Sequence, residues 1–306
     1  RRKRLLKICL PLYMAAFLCL LFYRNRPPWQ VAFLDVGQGD CAVLQEESGR
    51  TVVIDCGSSD EKGVGTYRLL PYLKYMGVQK VDAVFVSHAD EDHISGIREL
   101  LEQTELPVEH LVCYAEAGEK MEPLLCLAEE REVPVLGMAA GNSLHIGQMQ
   151  MTCLAPSMGD ISSDENNRSL VLLEEQESVR MLFTGDYAAS GNINRKYQHL
   201  VRNIDVLKFP HHGILDDKTN TYEIGVVLTR VLSPTYVLIP GAASVWEIWN
   251  FIAAYSAEQN LTRDHVYNNR FGNIVLLTDG ETIEVCTNVD PADFNPYQPS
   301  REVTAQ

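Results

Sequence analysis

The chain has 306 residues, 46% of them hydrophobic, and carries 26 Lys and Arg against 41 Asp and Glu, for a formal charge of −15. That is material for one large domain or two small ones, and no internal repeat, low-complexity tract or long linker divides it. The charge excludes tight nucleic-acid binding over a broad surface, which draws on clustered Lys and Arg, unless bound cations reverse the sign locally.

The first 26 residues hold seven basic and no acidic side chains, leaving 19 basic against 41 acidic for the remainder. Arg1-Arg2-Lys3-Arg4-Leu5-Leu6-Lys7 leads into an uncharged, mostly apolar run from Ile8 to Tyr23, closed by Arg24-Asn25-Arg26-Pro27-Pro28. Leu5 to Tyr23 is just long enough to span a bilayer with Lys7 snorkelling to the interface, and the basic start places Arg1 in the cytoplasm and the rest of the chain outside. A cleaved secretory signal is the rival, but no small-residue cleavage site follows Tyr23. The missing initiator methionine predicts a piece of a longer chain. The expected divisions are residues 1–26 as basic flank and membrane helix, 27–289 as the catalytic domain and 290–306 as a loose tail.

Trp29 to Leu34, Cys41 to Gln45 and Thr51 to Ile54 alternate like the strands of a meander. The first connection, Gly37-Gln38-Gly39-Asp40, has the backbone freedom to carry Gln38 and Asp40 towards a phosphate or metal, although a plain tight turn reads the same way. Asp55 ends the third strand. Tyr67 to Met76 predicts a helix stopped by Gly77, and Val81 to Val86 a buried strand. Directly after it comes Ser87-His88-Ala89-Asp90-Glu91-Asp92-His93, and then a helical pattern from Ile94 to Leu101. Four metal-competent side chains thus share one strand-to-helix loop. Imidazole nitrogens and carboxylate oxygens in that mixture suit a hydrolytic divalent ion such as Zn²⁺ or Mn²⁺. The bland alternative is a solvated acidic loop.

Strands and a helix alternate through Leu111 to Tyr114, Met121 to Arg131 and Val133 to Leu136, followed by paired strands at Ser143 to Ile146 and Met149 to Leu154. His110 and His145 lack ligand spacing and read as structural. A strand opens after Asn166-Asn167-Arg168-Ser169, and Val179 to Phe183 ends in Thr184-Gly185-Asp186. Asp205 to Pro210 presents His211-His212-Gly213 at a rigid strand end. One of these histidines is a ligand and the other meets a leaving oxygen or substrate phosphate, and the residues leave open which. Lys208 reads as a snorkelling edge-strand lysine that could alternatively touch a phosphate. Ile274 to Leu277 and Thr282 to Cys286 close the domain as strands. The eight cysteines contain no CxxC pair and read mostly as small buried hydrophobes.

His88-x-Asp90-x-Asp92-His93, with Asp35-Val36-Gly37-Gln38-Gly39-Asp40 before it and Phe209-Pro210-His211-His212-Gly213 after it, resembles the metallo-β-lactamase superfamily, and within it the ComEC-type competence proteins. Asp90 stands where most relatives have a second histidine. The resemblance implies a four-layer αββα sandwich with the site at one edge and two divalent ions. His88, Asp90 and Asp186, with Asn167, would hold the first ion; Asp92, His93, Asp186 and one of His211 or His212 would hold the second. Asp92, His212 and Asp40 are carried as catalytic and His211 as a metal ligand. Such ions lower the pKa of water and absorb charge on phosphoryl oxygens. The implied activity is a phosphodiesterase, foremost a nuclease on the DNA strand that is not imported, with DNA, the membrane and other components of an uptake machinery as partners. A hydrolase of small diesters or esters, and a non-hydrolytic channel module, are the alternatives. Ile214 replaces a serine usual after the histidine pair, and Ile239 to Trp246 lacks a histidine usual there; His265 is a possible substitute.

Overall fold

A computed structural model of the chain describes residues 9–17, 29–103, 105–160, 164–187, 198–214, 221–241, 265–268 and 272–287. The three apolar runs after residue 28 form the expected antiparallel meander, β1 (Trp29–Phe33), β2 (Cys41–Glu46) and β3 (Thr51–Cys56). From β3 the direction changes. β4 (Ala83–Phe85), β5 (Leu111–Tyr114) and β6 (Val135–Met138) add in parallel, each reached by a helical crossover: α1 (Leu70–Tyr75), α2 (Glu91–Glu102) and α3 (Glu122–Glu130). A second sheet begins with the antiparallel set β7 (Ser143–Ile146), β8 (Met149–Ala155), β9 (Val171–Gln176) and β10 (Val179–Phe183), and continues in parallel through β11 (Val206–Lys208), β12 (Tyr236–Ile239) and β13 (Val266–Asn268). α4 (Thr221–Leu232) is the crossover between β11 and β12. The last strands, β14 (Ile274–Thr278) and β15 (Ile283–Thr287), return to the first sheet, where β14 pairs with β1.

Three apolar layers follow from this order. Trp29, Val31 and Phe33 face Met151, Met181 and Phe183 between the sheets, with the Phe33 and Phe183 rings 5.9 Å apart. The alternate residues, Ala32, Val43 and Val53, lie under Leu73, Ile97, Leu100 and Leu124 of the helices. Leu173, Leu182 and Leu207 pack with Leu228 and Leu232 of α4 on the far side of the second sheet. Central strands buried on both faces explain why their sequences read as nearly continuous apolar runs. The result is the αββα sandwich. Cys41, Cys56, Cys113 and Cys153 are buried in it, whereas Cys9 and Cys126 are exposed.

Residues 9–17 are helical, with Leu10, Leu12, Tyr13, Met14 and Phe17 exposed. No helix among the described residues is long and apolar enough to cross a membrane. The other parts of the expected span, residues 5–8 and 18–23, and the tail 290–306 lie outside the described residues.

Glu174 breaks the apolar inter-sheet layer. It pairs in register with Met151 and Met181, is fully buried, and neither carboxylate oxygen has a hydrogen-bond partner among the described residues. Burial, with a smaller push from Glu175, raises its carboxyl well above the ordinary 4.5. The folded chain therefore keeps a proton that the unfolded chain gives up, so stability present below about pH 4.5 is lost as the pH rises from there through the raised folded value. Glu174→Met is expected to stabilise the fold by roughly 1–3 kcal/mol, the usual penalty of an unsatisfied buried polar group. In denaturant unfolding the gap to the parent chain should be wider at pH 8 than at pH 5; an equal gap at both would rule out the neutral buried carboxyl.

Candidate metal centre

The site lies at the strand ends where loops of both sheets converge, and close backbone packing holds it there. An added Cβ at Gly57 would come within 2.4 Å of Glu91 O and 2.5 Å of His93 N, and one at Gly39 within 2.2 Å of Gly57 O. Only glycine tolerates such approaches. Asp40 N–H donates to Asp92 O at 3.0 Å and Gly57 N–H to Asp40 O at 3.0 Å, which clamps the first turn of α2 onto the β1–β2 and β3 loops. Ile94, Ile97, Leu100 and Leu101 bury the apolar face of α2, and Gly96 lets it ride against Cys56. Helix position, and with it the aim of Asp92 and His93, is thereby fixed.

Four imidazoles point at one carboxylate. Nε2 of His93 is 3.2 Å from Asp186 Oδ1, and Nε2 of His212, His211 and His88 lie 3.5, 3.8 and 3.9 Å from Asp186 Oδ2. Asp92 joins from α2, its Oδ2 3.5 Å from His212 Nε2, and Asp90 stands at the rim with Oδ2 3.6 Å from His88 Nε2. Asp186 is fixed from behind, its N–H donating to Ser169 Oγ. Asn167 sits half-buried on the 3₁₀ turn Asn166–Arg168, just before that serine. His211 and His212 both have positive φ, 51° and 53°, and Gly213 follows at 68°. Two non-glycine residues held in this sparsely populated region are a strain that the surrounding packing must maintain.

On three of the four rings the opposite nitrogen is already engaged, while Nδ1 of His211 is buried without a hydrogen-bond partner among the described residues. His93 Nδ1 donates to Asp55 Oδ2 at 2.9 Å, His212 Nδ1 to Pro240 O at 3.0 Å, and His88 Nδ1 lies 3.0 Å from Ser87 Oγ. A carbonyl can only accept, so His212 carries its proton on Nδ1 and, when neutral, turns a lone pair towards Asp186. The Asp55 carboxylate sets the same tautomer for His93. Asp55 itself has φ 54° and also receives Ser87 N–H at 2.7 Å, consistent with a structural aspartate at a strand end.

Charge is distributed unevenly across the two faces. Burial opposes ionisation of Asp186, yet His93 and His212 hold its carboxyl well below the usual range. For those imidazoles burial again works against charge, but Asp186 outweighs it, with Asp55 helping at His93 and Asp40 at His212, and both are held well above their ordinary value. The Nε2 face therefore demands positive charge. Among the described residues, Nε2 of His88, His93 and His212 and Oδ1 of Asp186 are buried without a hydrogen-bond partner. Once His93 and His212 give up their Nε2 protons, imidazole lone pairs converge with the Asp186 carboxylate on one point, a donor set that fits a divalent cation.

Asp40, His93, Asp186 and His212 each offer a ligand atom within 4.8 Å of the others. Asp40, however, reaches the cluster from the Nδ1 side, 3.7 Å from His93 Nδ1 and 3.4 Å from His212 Nδ1. There the cation is Lys208. Its Nζ is ion-paired with Asp40, donates to Gly185 O at 2.9 Å and lies 3.7 Å from Asp186 Oδ1. A metal ion consequently belongs on the Nε2 side, with Asp40 behind it. Lys208 corrects a sequence expectation: it is buried on a strand flanked by β10 and β12, not snorkelling from an edge. The signal was its place in Val206-Leu207-Lys208-Phe209, since a lysine inside an interior strand has to be paired. His265 is also displaced. It precedes β13, packs edge-on against Tyr236 at the start of β12, and so lies at the far end of the parallel strands from Pro240 and the site.

Residues 34–134 match the family model of the metallo-beta-lactamase superfamily. ComE operon protein 3 of Bacillus subtilis is 29% identical over 283 residues, covering 84% of this chain and 35% of that protein. Recombination protein 2 of Haemophilus influenzae is 28% identical over 266 residues, covering 86% and 30%. The chain spans about a third of the length of these curated relatives. Among solved structures, a CmlA beta-hydroxylase mutant superposes with a TM-score of 0.53 at 13% identity over 83% of this chain and 55% of that one, a likeness of fold alone.

Proposed function

We propose, for a chain that belongs to the metallo-beta-lactamase superfamily and whose relatives over most of its length are ComEC-family proteins, that it is a metal-dependent phosphodiesterase cleaving DNA during DNA uptake. The observation that carries the reading is the convergence of four Nε2 atoms on Asp186. His88, Asp90 and Asp186 would hold one divalent ion, Zn²⁺ or Mn²⁺, and Asp92, His93, Asp186 and His212 a second. Ions there would make bound water acidic enough to lose a proton near neutral pH and would offset charge developing on the phosphoryl oxygens. The chain's own part is to orient. Asp55 and Pro240 fix two imidazole tautomers, and the Gly39–Gly57 clamp sets the α2 carboxylate. His211, half-buried, would then meet a substrate oxygen or leaving group, which reverses the roles of His211 as ligand and His212 as catalytic expected from the sequence.

The reading extends to place and partners. The basic start and apolar run support a membrane helix with the sandwich on the outer face, working beside other parts of an uptake machinery. A second reading, hydrolysis of small phosphodiesters, draws on the acidic composition after residue 26.

The purified chain and Asp92→Ala would be compared for metal content and for cleavage of single-stranded DNA, duplex DNA and small chromogenic diesters with Mn²⁺ or Zn²⁺. Bound metal and DNA cleavage lost in the variant are expected. Cleavage of small diesters only would transfer the site to the second reading, and a chain that binds no divalent ion would end both.

A further inference from the structure

We propose that Lys120 is the residue by which this site grips a substrate phosphate, and that it occupies Asp90 until a divalent ion is bound. The proposal rests on the phosphodiesterase reading. Lys120 lies on the 3₁₀ turn Glu119–Met121 that leads into α3, at the same strand-end edge as the metal centre. Its Nζ donates to Asp90 Oδ1 at 2.8 Å, while Oδ2 of the same carboxylate faces His88 Nε2 at 3.6 Å. One carboxylate is thus shared between the buried imidazole cluster and an exposed ammonium.

Among the described residues, the other basic side chains beside the cluster are committed elsewhere. Lys208 is buried between Asp40 and Gly185 O. Arg168 is mostly buried, donates to Glu116 O at 3.2 Å and lies 3.8 Å from Glu165. The Lys120 side chain is 61% exposed and Asp90 35%. An exposed pair of this kind adds little stability and parts easily. In a chain with 41 acidic residues, an anionic substrate needs a local cation at the mouth.

The exchange follows from charge. A cation at His88, Asp90 and Asp186 draws on the Asp90 carboxylate and repels the ammonium held against it. Lys120 is then free to donate charge-assisted hydrogen bonds to a phosphoryl oxygen on the solvent side of Asp90. No bond is made or broken in this step, and the lysine stays protonated throughout.

The test uses the full chain, Lys120→Gln and Lys120→Arg. Calorimetric titration of the metal-free proteins with Mn²⁺ should show a few-fold tighter binding to the Gln variant, because the competing ammonium is gone. With Mn²⁺ present, inorganic phosphate should bind Lys120→Gln about tenfold more weakly, the size of one lost contact of about 1.4 kcal/mol, and Lys120→Arg should recover most of it. For a diester substrate, KM should rise by a similar factor with kcat little changed. Unchanged phosphate binding in the Gln variant, or weaker Mn²⁺ binding, would overturn the assignment and leave Lys120 as a brace for Asp90. If the parent chain hydrolyses no diester and yet loses phosphate affinity on Lys120→Gln, the lysine assignment stands and the phosphodiesterase reading falls.

Discussion

Asp186→Asn is expected to remove divalent-ion binding at the strand-end site and to lower diester turnover by on the order of a thousand-fold, the scale of several kcal/mol of lost charge stabilisation. Asparagine matches aspartate in shape, so Ser169 can still receive the backbone N–H and the loop can close as before. The charge is what changes. Nε2 of His88, His93, His211 and His212 would face a neutral amide, and the force that holds His93 and His212 well above the ordinary imidazole range would weaken. Metal analysis, turnover and thermal unfolding of the same preparation separate a catalytic centre from a structural one. A variant that loses ions and turnover but melts close to the parent identifies the first. If instead the ions are lost and melting falls sharply while DNA uptake survives in cells, the metals serve folding, and the channel-module alternative takes over. Retention of both ions would remove Asp186 from the ligand set.

How much of this centre could be read beforehand differs from residue to residue. His88 to His93 was legible because its candidate ligands are contiguous, on the end of the β4–α2 loop and the first turn of α2, where spacing along the chain is spacing in space. Asp186 and His211-His212 each stand alone in sequence, and their convergence depends on β10 and β11 being parallel neighbours, which local pattern does not state. The meander β1 to β3 and the closing strands β14 and β15 were legible from apolar runs and turn residues. That β14 returns to β1, across nearly the whole chain, was not. The sequence also hid the division of labour among carboxylates. Asp40 and Asp92 look alike on paper, but Asp40 meets the Nδ1 side and Lys208 whereas Asp92 meets Nε2. Such two-sidedness is a property of ring orientation, and ring orientation is set by Asp55 and Pro240, from strands distant in sequence.

Lys208→Met is expected to destabilise the metal-free chain by about 3–5 kcal/mol, the usual consequence of removing one partner of a buried ion pair. Methionine fills a similar length, so the loss is chiefly of charge. Asp40 is 5% exposed, and the histidines near it already direct Nδ1 to Pro240 O and Asp55. In the parent chain burial works against the Asp40 anion, but Lys208 first and His212 next hold the carboxyl well below the ordinary 3.8. A lowered folded pKa contributes stability above the unfolded value that is lost as the pH falls through the folded one. Without the lysine, burial is opposed only by His212 and His93, so the Asp40 carboxyl moves up from its lowered position and contributes less of that stability. The gap between parent and variant in denaturant unfolding should therefore be full at pH 7 and shrink as the pH falls below about 3.8. Lys208→Met combined with Asp40→Asn removes both charges and should recover most of the loss. Recovery would establish that Lys208 serves as the fixed cation of the Nδ1 face; a double variant as unstable as the single one would show that its stem, filling space between β10 and β12, is what the fold requires.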